Sequence, residues 1–119
     1  MNRLLQALVR RGVAVLVLGV LVPFAAPAAN PSEPAAIAAL RADQTRTAAQ
    51  LEAQAARLRA TAPTPAYRAW ATLAEAEFAN DQEHADAALA GIDEAIAQSD
   101  ALNLPDLRFE ALLRLSTIL

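Results

Sequence analysis

From residue 35 to residue 61 no proline or glycine interrupts the chain. Across it Ile37, Leu40, Gln44, Thr47/Ala48, Leu51, Ala55 and Leu58 recur at alternating steps of three and four. That period places them on one helical face. Arg41, Asp43, Arg46, Glu52, Arg57 and Arg59 fall opposite, on a solvated side. The spacing predicts one helix of about 28 residues, roughly 42 Å long at the standard rise. Ser32 is its expected cap, with Glu33 and Pro34 in the first turn. Ala62-Pro63-Thr64-Pro65 stops it, because a residue before proline is pushed away from helical angles.

Thr64 and Pro65 then form the cap and first position of a second helix. Its apolar face is Tyr67, Trp70/Ala71, Leu73/Ala74 and Phe78. Asn80 with Glu83 three residues on resembles a capping box, so a third helix is expected from about Asp81 to Leu102. Ala85, Leu89, Ile92, Ile96 and Ser99 form its stripe, flanked by Ala88, Gly91 and Ala95. A glycine inside a helix costs about 1 kcal/mol against alanine, so Gly91 points to close packing. Asn103 suits a left-handed helix end. Pro105 opens a fourth helix that offers Leu107, Ala111, Leu112, Leu115, Ile118 and Leu119 for burial.

The front of the chain has a different character. Arg3, Arg10 and Arg11 precede the apolar run Gly12–Phe24, Pro23 breaks it, and small residues follow. Ala26-Pro27-Ala28 fits the small-x-small rule for cleavage after Ala28, with Ala29 as the alternative. These features define a secretory signal peptide over 1–28. The competing reading is an uncleaved anchor, since Gly12 to Ala29 is about 18 residues, near the lower limit for a membrane span. Either way residues 30–119 lie outside the cytoplasm, in the periplasm or beyond. Residues 29–34 are a short lead-in, and 35–119 form the helical domain.

Composition narrows the function. Of 119 residues 32 are alanine, none is lysine and none is cysteine. Alanine favours helix, so the class is all-α. Without cysteine there is no disulfide framework, thiolate metal site or cysteine nucleophile. Residues 29–119 hold seven arginines and thirteen acids, a net charge of −6. That balance disfavours nucleic acid and anionic lipid, so a membrane enters only if the N-terminal segment is uncleaved.

The pattern repeats weakly. A shift of 40 superposes Pro65 on Pro105, Arg68 on Arg108, Ala71 on Ala111 and Leu73 on Leu113. A shift of 42 is the rival, placing Trp70 on Leu112 and Leu73 on Leu115. Trp70, Leu73 and Ala74, then Ala88, Ile92 and Ala95, then Leu112, Leu115 and Ser116, follow the large–small spacing of tetratricopeptide repeats. Over about 65–119 the chain resembles that family, with 35–64 as a degenerate preceding unit. It departs in the Ala79–Ala85 turn, about two residues too long, and in an extended third helix; an unrelated four-helix hairpin bundle is the alternative. The resemblance implies antiparallel helical hairpins stacked as a short solenoid whose concave surface holds peptides or partner domains. It also implies kinship with extracytoplasmic parts of bacterial signalling proteins, such as diguanylate cyclases and histidine kinases.

The residues offer little chemistry. His84 is the only histidine, beside Asp81, Glu83 and Asp86, and a solvated helix turn explains them better than a metal site. The turn lacks the glycine that a calcium loop uses. No glycine-rich phosphate loop occurs, and Ser32, Ser99 and Ser116 have no neighbouring base. No cofactor is expected. Trp70, Leu73, Phe78, Ile92, Leu112 and Leu115 are the expected core anchors. Arg68 and Arg108, with Tyr67, are the best guesses for partner contacts, the arginines as a carboxylate-binding ladder. The apolar last segment FEALLRLSTIL leaves four readings: self-association, a partner, a continuing repeat array, or the first helix folded back over it. The expected function is an exported, non-catalytic helical-repeat module for protein or peptide interaction. The alternative is the N-terminal sensory part of a membrane-bound signalling enzyme.

Overall fold

The computed structural model describes residues 31–119. The 1–28 segment and its cleavage point after Ala28 lie outside the described residues. Those described form five α-helices and no strand: α1 Ala35–Ala42, α2 Ala48–Ala60, α3 Pro65–Asp81, α4 Ala85–Leu102 and α5 Pro105–Ile118. The all-α class is therefore observed.

The expected long first helix is two helices. Asp43 Oδ1 accepts from both the amide and the hydroxyl of Thr45, each at 2.7 Å. This local turn offers the backbone an alternative to helix. Thr47 then starts α2 with a reciprocal capping box: its Oγ1 accepts from the Gln50 amide at 3.2 Å, and Gln50 Oε1 accepts from the Thr47 amide at 2.9 Å. A break needs neither proline nor glycine when such short polar residues satisfy the free amides.

The α2–α3 stop falls at Thr61–Thr64, and Thr64 caps α3 by accepting from the Tyr67 amide at 3.1 Å, with Pro65 at the first position. The next turn differs from the expected capping box. α3 runs through Asp81, Glu83 adopts a left-handed φ of 64°, and the His84 amide donates back to the Ala79 carbonyl at 2.9 Å. That is a Schellman end built on a non-glycine residue, and α4 starts at Ala85 with no side-chain cap. Asn103, at φ 57°, closes α4 in the same way as the Leu104 amide donates to the Ser99 carbonyl.

Turns this short place consecutive helices antiparallel. α2 packs on α3, α3 on α4 and α4 on α5, so α3 and α5 run in the same direction on either side of α4. The contacts are close because they are made by methyl groups. A Cβ added to Gly91 would lie 2.8 Å from the Cβ of Ala76. Trp70, Ile37, Leu73, Ile92 and Leu107 are the largest wholly buried side chains. Ile37 belongs to α1, which does not continue α2 but crosses to the face made by α3 and α5.

Candidate functional site

Residues 31–42 form an arm, and its polar contacts show where it lies. Ser32 donates its amide (2.8 Å) and its hydroxyl (2.5 Å) to Asp106 Oδ2 at the start of α5. The Trp70 indole Nε1, early in α3, donates to Ser32 Oγ at 3.1 Å. Ser32 therefore ties the lead-in to two helices and does not cap α1, whose cap position is Pro34 with no side-chain bond. At the other end of the arm Arg41 reaches Glu77, late in α3, and Glu110 in α5. The arm thus runs along the seam of α3 and α5 in their own direction. Ile37 and Leu40 point inward at 0% and 6% exposure.

Arg41 is the centre of this seam. Its Nε and Nη2 donate to the two oxygens of Glu77 at 2.9 and 3.2 Å, the bidentate geometry that suits guanidinium. Nη1 donates to Glu33 Oε2 at 2.7 Å and Nη2 to Glu110 Oε1 at 3.0 Å. Its guanidinium carbon stands 5.8 Å from the centre of the Trp70 ring, within cation–π range. The side chain is only 15% exposed, with Glu33 at 4% and Glu77 at 11%. Arg114 adds a 2.6 Å contact to Glu77 Oε2. Burial works against the charge on Arg41, but Glu77 and Glu33 more than offset it, so the guanidinium is held charged beyond its ordinary range. Removing charges from water costs several kcal/mol per ion unless hydrogen bonds satisfy them. Here every guanidinium nitrogen has a partner, so the arm is held in one register.

Asp106 is set by a similar balance. Partial burial pushes its carboxyl up, but the Ser32 hydroxyl and amide, its own amide and that of Leu107 hold it below the usual carboxylate range.

The anticipated partner residues lie elsewhere. Arg68 and Arg108 stand three residues after Pro65 and Pro105, at matching places on α3 and α5, and both are exposed. Arg108 Nε donates to Asp100 Oδ1 at 3.0 Å, on a pair 50% and 60% exposed. Tyr67 is half-buried against the core. Among the expected core anchors, Trp70, Leu73, Phe78 and Ile92 are buried and Leu115 is half-buried. Leu112 is a correction: at 37% exposure it sits on the outer side of α5 with Phe109 at 61% and Leu113 at 45%. The first helix covers the α3 side of α5 and leaves this outer side open. His84 is exposed at the start of α4, and among the described residues no group of three or more His, Asp or Glu is arranged to hold a metal ion.

The sequence pattern places Ser32 at a helix cap and Arg41 on a solvated face, and gives Glu77, Asp106 and Glu110 no part in a site. A groove of about 290 Å³ lies between α2, α3 and α4, lined by Ala76, Ala79, Ala87 and Ala90 together with the Arg59–Glu75 pair. No described helix is long and apolar enough to cross a membrane. Compared with family models, curated proteins and solved structures, the chain matches none.

Proposed function

We propose that the chain is an exported, non-catalytic helical-repeat module of tetratricopeptide-like build that binds a protein or peptide helix. The outer side of α5 carries this reading. Phe109, Leu112 and Leu113 are exposed there. Forty residues earlier, at the same distance from the opening proline, stand Ala69, Thr72 and Leu73 of α3, all buried. Next to them Ala76 and Thr72 receive Gly91 of α4. α5 thus repeats the register of a helix face that another helix covers. A complementary partner helix would carry small residues at the spacing of Ala88, Gly91 and Ala95. Exposed apolar patches rimmed by polar residues are typical interaction sites. The signal-like 1–28 segment supports export to the periplasm or beyond.

The same face supports a second reading, the sensory part of a membrane-bound signalling enzyme such as a diguanylate cyclase or histidine kinase. There the covering helix belongs to the enzyme itself. Selection of helical peptides on the exported chain, with a Phe109→Arg, Leu113→Arg double variant as counter-selection, tests the proposal. Enriched helices with a small-residue stripe that fail on the variant support it. Enrichment indifferent to the variant contradicts it, and a chain whose α5 face is buried in a self-dimer assigns the face to a second copy.

A further inference from the structure

We infer that the occupant of the outer side of α5 is the same side of α5 in a second copy of the chain, laid antiparallel across a two-fold axis. This rests on the reading of that side as an interaction face and names its partner.

Among the described residues every large apolar side chain left exposed is at this end of the molecule. Leu102 lies at the close of α4, and Phe109, Leu112, Leu113 and Leu119 follow along α5 and its end. Phe109, Leu112, Leu113 and Ser116 stand at i, i+3, i+4 and i+7, one stripe of a helix, and Leu119 continues it. The five exposed side chains offer on the order of 500 Å² of apolar surface per copy, the apolar share of a standard interface of about 800 Å² per partner.

The stripe complements itself in one direction only. With the axis between Leu112 and Leu113, an antiparallel pair sets Leu112 against Leu113 and Phe109 against Ser116. The large aromatic thereby meets the small residue of the stripe. The same register brings Leu119 level with Asp106, at the turn that carries Leu102. A parallel pair would set Phe109 on Phe109 and Ser116 on Ser116, crowding one end and leaving the other open. No charged side chain belongs to the stripe, and its neighbours Arg108 and Arg114 already pair with Asp100 and Glu77.

The other end of the helix stack argues against head-to-tail growth. There α2 turns Arg46, Gln50, Gln54 and Arg57 away from the buried Leu51 and Ala55. Setting the apolar side of α5 on that polar side would take two arginines from water with no acid in the stripe to meet them. Pairing of like with like closes at two copies.

Sedimentation equilibrium of the exported chain tests this, with circular dichroism to show each variant folded. Phe109, Leu113 and Ser116 are exposed, so substitutions there spare the core. The wild-type chain is expected to sediment as a dimer. Leu113→Arg, present twice per dimer, should weaken association about a hundredfold. Ser116→Phe sets a second ring against Phe109 and should weaken it about tenfold. Adding Phe109→Ser to Ser116→Phe exchanges large and small along the stripe, and should restore association to within about threefold of wild type. A monomeric wild-type chain overturns the inference. Helical peptides then selected on that monomer, and lost with Phe109→Arg, Leu113→Arg, leave the reading of the face standing; a monomer that selects none overturns both. A dimer strengthened by Ser116→Phe is parallel, one that the exchange fails to restore has another register, and one indifferent to all the variants uses another surface. Each of these overturns the pairing.

Discussion

The Trp70 indole donates to the hydroxyl of Ser32, 38 residues earlier in the chain, at 3.1 Å, and that hydroxyl in turn donates to Asp106. One short relay thus joins the arm, α3 and α5. Trp70 is the only tryptophan and has no exposed surface. Its emission should be blue-shifted and poorly quenched by iodide. Trp70→Phe removes the donor and leaves a cavity where the larger indole packed, and should lower stability by at least about 1 kcal/mol in urea unfolding. An unchanged midpoint would show that the relay contributes nothing.

Arg41→Ala takes the cation from Glu33 and leaves Glu77 with Arg114 alone. Loss of one partner from a buried ion cluster costs about 3 kcal/mol. Arg41→Met keeps much of the volume and should still be strongly destabilising, because the two carboxylates remain. Replacing Arg41 and Glu77 together, as Met and Leu, should recover much of the loss. Thermal melts of the three variants decide this, and a single Arg41→Ala within about 0.5 kcal/mol of wild type would mark the cluster as a surface pair.

Asp106 gives the arm a pH signature. A carboxyl held below its unfolded value contributes stability above about pH 4, where the unfolded chain is also ionised. That contribution fades as pH falls towards the folded value. Asp106→Asn should therefore flatten the slope of melting temperature against pH on the acid side and leave the slope near neutrality unchanged. Equal acid slopes in the two proteins would disprove the assignment.

Gly91→Ala tests the packing of α3 on α4. Helix propensity alone favours the alanine by about 1 kcal/mol. The new methyl, however, meets the Ala76 Cβ at 2.8 Å on a helix that is packed on both sides. Overpacking of this kind costs about 1–3 kcal/mol, so the net effect should be a loss of stability. Ala76→Gly in the same chain should relieve it, giving a favourable coupling in a double-mutant cycle. Additive effects would mean that the two helices can move apart freely.

The parts of the fold legible in the sequence are those written in local chemistry. Thr64-Pro65, Asn103 and Pro105 mark helix ends because their backbone preferences hold in any surroundings. The 43–47 break is hidden in the periodicity because its signals, an Asp-x-Thr turn and a Thr-x-x-Gln box, lie inside an otherwise continuous apolar stripe. The Asn80–Glu83 spacing reads as a capping box, yet Glu83 takes the left-handed end position that glycine usually fills. The site was least legible. Arg41 lies beside Leu40 at the edge of the stripe, and nothing local separates it from a solvated arginine. Its role arises when α1 leaves the axis of α2 and brings Glu33, Glu77 and Glu110 around it, a consequence of tertiary packing over separations of up to 69 residues.

The central claim is that the arm is seated on α5 as well as on α3, and a double-mutant cycle between Arg41 and Glu110 measures that directly. Arg41→Ala, Glu110→Ala and the double variant, compared by urea unfolding, should show a coupling of at least about 1 kcal/mol. Additivity within about 0.3 kcal/mol would contradict it, because two residues 69 positions apart couple only if the arm lies along the seam.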